Sequence, residues 1–112
     1  MKKIEAIIRP EKFSSVRSAL EKTGHGGIMI TEIEGHGKQK GITQQWRGEE
    51  YKVELLPKTK LELIVKDNEV ERIVKTIVEC ARTSEIGDGK IFIYNIENAI
   101  RIRTGEKGED AI

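Results

Sequence analysis

The sequence is poor in the residues that build disulfide-rich and metal-centred folds. Its 112 residues include one cysteine, Cys80, which excludes an internal disulfide framework and a zinc site built from cysteine thiolates. The two histidines stand apart at positions 25 and 36. We therefore expect no metal ion that is held by side chains alone.

Long hydrophobic runs and an excess of charge of one sign are also missing. No apolar run approaches the roughly 20 residues that a membrane span needs, so we expect a chain that is not inserted in a membrane. The first residues lack the apolar stretch of a secretory signal, which predicts a cytoplasmic location. The net charge of +1 provides no general attraction to nucleic acid. Anion binding would have to come from local clusters of residues.

The composition that remains is typical of one globular domain. Hydrophobic residues make up 37% of the chain and charged residues 35%, a balance that suits a water-exposed protein with an apolar core. A chain of this length buries enough surface for one core and not for two. We therefore treat residues 1–112 as a single domain.

Hydrophobic periodicity predicts the order of secondary structure. Alternating apolar residues indicate strands over 2–9, from 28, over 61–65 and over 91–94, and helical spacing indicates helices over 13–22 and 70–81. Asn68 and Glu71 have the spacing of a capping box for the second helix. The order βαββαβ predicts an α+β, ferredoxin-like fold, in which two helices cover one face of an antiparallel sheet. Ile7, Ile64 and Phe92 would lie on the other face, and self-association is the simplest way to cover them.

Residues 35–56 interrupt this periodicity. The segment contains four glycines, a tryptophan and scattered charges, and it presents no apolar face. A loop of this length inside a compact domain is uncommon and usually functional or disordered, which leads us to expect a mobile loop without regular structure. The alternative is an ordinary long hairpin.

Two short segments have residues suited to binding phosphate. Residues 86–90 read Ile-Gly-Asp-Gly-Lys, and the two glycines permit a positive φ and exposed amides next to the charge of Lys90. Arg101 and Arg103 alternate, so they would project to one side and offer their guanidinium groups to phosphate oxygens. The alternatives are a plain hairpin turn at 86–90 and a charged edge strand at 101–106. A third glycine-lysine segment, at 35–41, matches no phosphate-binding motif by itself.

Taken together, these segments resemble the PII signal-transduction proteins, the GlnB and GlnK group, along the whole chain. Among these, the sequence is most similar to the GlnK type, which binds ammonium transporters. The matching segments are KIEAIIRP at 3–10, GKQKG at 37–41, WRGEEY at 46–51, LPK at 56–58, IGDGKIF at 86–92 and RIRTGE at 101–106.

The resemblance implies a homotrimer that binds ATP and ADP competitively in clefts between its subunits, with Mg²⁺ accompanying ATP. The implied nucleotide-binding residues are Met29, Gly37, Lys38, Gln39, Ile64, Gly87, Asp88, Gly89, Lys90, Arg101 and Arg103. Gln39 would also help to place the Mg²⁺ ion, and it would bind 2-oxoglutarate together with Lys40 and Lys58. In this scheme residues 82–90 form the phosphate-binding loop, and residues 101–112 form a C-terminal loop and tail.

The resemblance further implies that residues 37–55 are a partner-binding T-loop. Arg47 would enter the channel of an ammonium transporter, and Tyr51 would contact the partner or accept a covalent modification. The transporter would recruit the protein to the inner face of the membrane. Such a protein signals by binding and is not an enzyme.

Departures from the family pattern leave the relative affinity for ATP and ADP open. Met29 stands where many relatives have threonine, and Lys38 replaces an arginine, which removes a bidentate fork.

Two other classes of protein remain as alternatives. A small phosphohydrolase of ferredoxin-like fold would need a nucleophile-base set or paired carboxylates, which the sequence does not display. An RNA-binding domain would need a pair of stacking aromatic residues.

Overall fold

The computed structural model describes residues 1–25, 27–35, 43–46, 49–52 and 56–112, and for residues 43–46 and 49–52 it describes the backbone alone. The elements in chain order are β1 (Lys2–Ile8), α1 (Phe13–Lys22), β2 (Met29–Gly35), β3 (Thr43–Trp46), β4 (Glu49–Lys52), β5 (Leu56–Val65), α2 (Val70–Ala81) and β6 (Lys90–Asn95).

The four long strands form one sheet in the order β2-β5-β1-β6, and all three neighbouring pairs are antiparallel. In the centre of the sheet Ile4 lies opposite Leu63 on β5 and Ile93 on β6. This strand order, with the two helices, confirms the predicted ferredoxin-like βαββαβ fold.

Alternation along the central strands places one set of apolar side chains under the helices. Every second residue of β1 and of the C-terminal half of β5 is buried, as expected for strands with one face against a core. On α2 the buried residues follow the predicted stripe, and α1 contributes two more. The core residues are Ile4, Ala6, Ile8, Val16, Leu20, Leu61, Leu63, Val65, Ile73, Ile77 and Ala81.

The start of α2 differs from the prediction. A short 3₁₀ turn, Asp67–Glu69, precedes the helix, and no side chain in the described part of the chain caps its first turn. The capping box of Asn68 and Glu71 was therefore wrong. The acidic residue at this corner has another role, because the Asp67 carboxylate accepts a hydrogen bond of 2.8 Å from the terminal amine of Met1.

The uncovered face of the sheet is more polar than predicted. Phe92 is 43% exposed there, and it shares the face with a network of charged side chains. Lys3 lies 3.8 Å from Glu5 and 3.8 Å from Glu62, and its ammonium sits over the ring of Tyr94. The face therefore combines apolar residues with paired charges, a mixture typical of protein interfaces rather than of a core.

The long segment after β2 contains a hairpin, which we kept only as the alternative. β3 and β4 form a separate two-stranded antiparallel sheet, with Thr43 opposite Lys52 and Trp46 opposite Glu49. The expectation of a loop without regular structure over 35–56 was wrong for these residues. β-forming residues can pair locally without an apolar face, which is why hydrophobic periodicity did not indicate the hairpin.

Candidate functional site

The loop between α2 and β6 turns on residues with left-handed backbone conformation. α2 ends at Ala81 and β6 begins at Lys90. Gly87 has φ 105° and Gly89 has φ 100°, as the two glycines predicted, and Ser84 has φ 70°. We name residues 82–90 the anion loop.

Gly89 also makes a close backbone approach. A Cβ atom at this position would lie 1.7 Å from the carbonyl oxygen of Ile7 on β1 and 2.8 Å from its carbonyl carbon. Since both atoms belong to the backbone of a central strand, they cannot move aside cheaply. Only glycine fits where the anion loop enters the sheet.

Asp88 organises the loop from inside. One carboxylate oxygen accepts hydrogen bonds from the backbone N–H groups of Thr83 at 2.8 Å and Ser84 at 2.9 Å. The other oxygen accepts from the Thr83 hydroxyl and from Nε of Arg9, the latter at 3.1 Å. Burial raises the pKa of Asp88, but these hydrogen bonds from Thr83, Arg9 and Ser84 outweigh it and hold the pKa at about 2.

Two cations hold the carbonyl groups of the loop. Nη2 of Arg9 donates to the carbonyl oxygen of Ile86 at 2.9 Å, and Nζ of Lys58 donates to that of Gly87 at 2.6 Å. Burial, together with the neighbouring charge of Arg9, lowers the pKa of Lys58, and the carboxylates of Glu11 and Asp88 oppose this shift. Arg9, Lys58 and Asp88 therefore tie the anion loop to the ends of β1 and β5.

The anion loop also carries backbone N–H groups and the side chain of Lys90 that are available to a ligand. Within the described part of the chain, the N–H groups of Gly87 and Gly89 donate no hydrogen bond. The side chain of Lys90 is exposed next to them. Free amides and an ammonium group on neighbouring residues are donors that suit a phosphate or carboxylate.

The C-terminal arginine segment is a closed turn and not the extended strand that alternation suggested. Arg101 N–H donates to the Glu106 carbonyl at 2.9 Å, and Gly105 N–H donates to the Arg101 carbonyl at 2.7 Å. Nη1 of Arg101 lies 2.6 Å from the Glu106 carboxylate. Arg103 is exposed, and the side chain of Ile102 is fully exposed. We name residues 100–107 the arginine turn.

The residues predicted to contact a base lie on the same sheet face as Lys58. Met29 pairs with Glu62, and Ile64 follows two residues later on β5, so both share the uncovered face. Met29 is 53% exposed and Ile64 is half-buried. The predicted base contacts and the anion loop are thus placed towards opposite ends of one strand.

Several predicted residues fall elsewhere. Gly37, Lys38, Gln39, Lys40 and Arg47 lie outside the described residues, and Tyr51 lies in β4, where only the backbone is described.

The last described residues before the predicted T-loop lie near the anion loop. Gly35, the last residue of β2, pairs with Leu56, and Ile33 pairs with Lys58, so the chain leaves the sheet beside the lysine that holds the loop.

Sequence reasoning missed the role of Arg9. It appeared only as part of a family motif, and nothing in its spacing links it to a loop that begins more than 70 residues later. The signal lies in topology, because β1 and β6 are antiparallel neighbours, with Ile7 opposite Lys90. The end of β1 therefore meets the residues just before β6.

The described residues contain no group of three or more histidine, cysteine or acidic side chains that could hold a metal ion. The predicted Mg²⁺ contact, Gln39, lies outside them. Among the described helices, none has the length and apolar character required to cross a membrane.

Comparison with known proteins identifies the family. The fold and loop define an α+β domain with a candidate anion site between α2 and β6. A family model described as nitrogen regulatory protein P-II matches residues 1–106. The nitrogen regulatory protein P-II of Rhodospirillum rubrum is 57% identical over 112 residues, with both chains fully covered. The nitrogen regulatory protein P-II 2 of Methanothermobacter thermautotrophicus is 53% identical and covered over 97% of its length.

A solved structure of a PII protein has a similar fold. Arabidopsis thaliana PII bound to citrate is 40% identical, and it superimposes with a TM-score of 0.80 over 99% of this chain and 91% of its own. The chain belongs to the P-II family of nitrogen regulatory proteins.

Proposed function

We propose that this protein senses ATP and ADP and regulates an ammonium transporter or a nitrogen-assimilation enzyme. The observation that carries the proposal is the anion loop, in which Arg9 and Lys58 hold carbonyl groups and Asp88 holds backbone amides, next to the exposed side chain of Lys90. A loop that is already ordered binds phosphate without the cost of ordering it.

In the proposed site the anion loop binds the polyphosphate, and Arg101 and Arg103 of a neighbouring subunit close it. Gly37, Lys38 and Gln39 would contact the phosphates from the T-loop root, with Gln39 placing Mg²⁺. Met29 and Ile64 would contact the base. The arginine turn supports this division, because the exposed side chain of Arg103 is accessible to a neighbouring subunit.

A carboxylate ligand beside the phosphates is the second part of the proposal. Lys58 already donates to the Gly87 carbonyl at 2.6 Å, so its ammonium is placed between the sheet and the anion loop. With Gln39 and Lys40 it would bind 2-oxoglutarate when Mg²⁺-ATP is present. The Arabidopsis relative is bound to citrate, which is also a polycarboxylate.

Exposed apolar residues at both edges of the sheet support a homotrimer. Met29 and Ile30 on the outer strand β2 are 53% and 48% exposed, and Ile93 on the opposite outer strand β6 is 51% exposed. An interface that joins unlike edges is heterologous, and it forms a ring such as a trimer when the rotation between subunits closes. Sedimentation that detects only a 12.7 kDa species at micromolar concentration would contradict this assembly.

Titration calorimetry with ATP, ADP and AMP tests the nucleotide proposal, with and without Mg²⁺ and 2-oxoglutarate. ATP and ADP should compete for one site per subunit, and 2-oxoglutarate should bind only with Mg²⁺-ATP. Lys90→Ala and Arg103→Ala should each weaken ATP binding about ten- to a hundredfold, because each removes a charge-assisted hydrogen bond. Unchanged titration curves for both variants would remove phosphate binding from these segments.

We further propose that the T-loop, residues 37–55, signals the bound nucleotide to the partner protein. The protein itself would be cytoplasmic, and its partner would recruit it to the membrane. Gln39→Ala should retain most ATP affinity and lose the response to 2-oxoglutarate. Arg47→Ala should retain both and lose transporter inhibition. Proteolytic cleavage after Lys40 or Arg47 should differ between Mg²⁺-ATP and ADP, because a ligand shifts a loop only through contacts that differ between states. Equal cleavage rates with both ligands bound would exclude the T-loop as the reporter.

The phosphohydrolase alternative is disfavoured by the position of Asp88. A general base has to reach a water molecule at the phosphate, whereas this carboxylate accepts hydrogen bonds from Thr83, Ser84 and Arg9 and has a pKa of about 2. We therefore expect no appreciable ATP turnover.

A further inference from the structure

The carboxylate of Asp88 has little capacity left for a ligand. An ionised carboxylate offers about four acceptor positions on its two oxygens. Four donors already use them, namely the N–H and hydroxyl of Thr83, the N–H of Ser84 and Nε of Arg9. A negative charge would also repel phosphate, so Asp88 is unsuited to direct contact with an anion.

Arg9 offsets this negative charge and orients the peptide unit between Ile86 and Gly87. Its side chain is only 13% exposed, and its planar group bonds both the Asp88 carboxylate and the Ile86 carbonyl. In a trans peptide unit the C=O and the following N–H point in opposite directions. A carbonyl of Ile86 that is held toward Arg9 therefore turns the N–H of Gly87 outward.

Lys58 acts on the next peptide unit in the same way. Because Lys58 holds the Gly87 carbonyl inward, the N–H of Asp88 points away from the sheet. Each side chain that holds a carbonyl group of the anion loop thus fixes the direction in which the next N–H group points. Asp88 closes the loop, because its carboxylate accepts hydrogen bonds from the N–H groups of Thr83 and Ser84.

We propose that Arg9 and Asp88 are positioning residues for the phosphate site, which aim the amides of the anion loop at the ligand without touching it. The proposal rests on the nucleotide function proposed above and assigns a role that the family motif alone does not explain. Both residues act through the backbone of residues 83–88. Their loss should therefore lower phosphate affinity even though no ligand contact is removed.

The test combines ATP titration with amide hydrogen exchange in Arg9→Gln, Asp88→Asn and Arg9→Lys. Arg17→Gln is the matched control, because Arg17 is an exposed arginine whose described contacts, with Glu21 and with the ring of Phe13, lie within α1. Arg9→Gln and Asp88→Asn should weaken ATP binding about tenfold or more, the size expected when a charge-assisted hydrogen bond is lost. Arg9→Lys keeps the charge and loses the fork, so its affinity should lie between those of the wild type and Arg9→Gln.

Hydrogen exchange separates positioning from a general loss of stability. Without ligand, exchange of the Thr83 and Ser84 amides should rise about tenfold in Asp88→Asn, since the hydrogen bonds that protect them are weakened. Amides in β1 and α2 should exchange faster only by the factor that the loss of global stability, measured by thermal melting, accounts for. Faster exchange in β1 and α2 without any change at Thr83 and Ser84 would mean a structural role only and would overturn the proposal.

The remaining outcomes are equally decisive. A wild-type protein that does not bind ATP would refute the nucleotide function and the positioning role with it. Wild-type binding with unchanged affinity in both Arg9→Gln and Asp88→Asn would refute the positioning role alone. Faster loop exchange together with unchanged affinity would also overturn it, because the loop would then be ordered for a purpose other than phosphate binding.

Discussion

The anion loop and the arginine turn are both short and mostly polar, yet they are held in different ways. The anion loop is tied to two strands by Arg9 and Lys58, which arrive from distant parts of the sequence. The arginine turn is closed by its own residues, through the pair of Arg101 with Glu106 and the backbone bonds across the turn. One segment depends on the fold and the other on its local sequence.

This difference bears on the proposed site between subunits. The contacts that hold the anion loop come from its own chain, through Arg9, Lys58 and Asp88. The arginine turn leaves Arg103 exposed and keeps Arg101 in a solvent-exposed ion pair, which contributes little to stability. An exposed pair can be exchanged for a phosphate at small cost, so the turn is suited to closing over a ligand held by a neighbour.

The largest effect should separate the two segments through their glycines. Gly89→Ala places a Cβ atom 1.7 Å from the Ile7 carbonyl, whereas Gly105→Ala, at φ 74°, meets no atom within 4 Å. We expect Gly89→Ala to lower the free energy of unfolding by about 2 kcal/mol or more and to abolish ATP binding. Gly105→Ala should cost only about 1–2 kcal/mol of backbone strain. Urea denaturation at one protein concentration measures both, and equal losses would contradict the close packing of Gly89.

A pH titration should isolate the contribution of Asp88. Its pKa in the folded chain, about 2, lies below the ordinary 3.8, so its ionised form is stabilised by folding. This stability is fully present above pH of about 4 and is lost as the pH falls through about 2. Wild type should therefore be more stable than Asp88→Asn at neutral pH, and the difference should disappear in that acid range.

Thermal melting of the two proteins from neutral pH to the acid limit of folding provides the measurement. Asp110→Asn, in the exposed C-terminal tail, is the matched control and should track the wild type throughout. A constant difference between wild type and Asp88→Asn across the whole range would show that the Asp88 charge is not the stabilising feature.

The smallest effect should come from the ion pair of the arginine turn. Glu106→Gln removes the charge that holds Arg101 at 2.6 Å and leaves the guanidinium readier to meet phosphate. We expect ATP affinity to rise about two- to threefold, since exposed ion pairs are weak competitors. Glu109→Gln, which changes the same charge outside the turn, serves as the control. Weaker ATP binding in Glu106→Gln would mean that the pair builds the site and does not compete with it.

The sequence was sufficient for the parts of the fold that depend on burial. Alternation in β1 and the apolar stripe of α2 are direct consequences of a shared core, so periodicity identified both. It failed for β3 and β4, which pair with each other and show no apolar repeat. It also failed for Arg101 and Arg103, where Glu106 and Gly105 close a turn that alternation cannot reveal.

The site was predictable only where conformation depends on residue type. The glycines at 87 and 89 indicate a positive φ by their residue type alone, and both adopt it. The hydrogen bonds of Asp88 and Arg9 within the anion loop depend on which strands are neighbours in the sheet. The spacing of residues along the sequence does not reveal which strands these are. Long-range contacts of charged side chains follow from topology and not from motif.

Mixed trimers test whether the anion loop of one subunit and the arginine turn of the next form one site. Lys90→Ala and Arg103→Ala chains should each bind ATP weakly when assembled alone. After unfolding and refolding at equal ratio, about a quarter of the clefts should combine an intact Lys90 with an intact Arg103 and regain wild-type affinity, because a ring places unlike surfaces together. Native mass spectrometry would confirm mixing. Verified mixed trimers without any high-affinity sites would contradict the shared site.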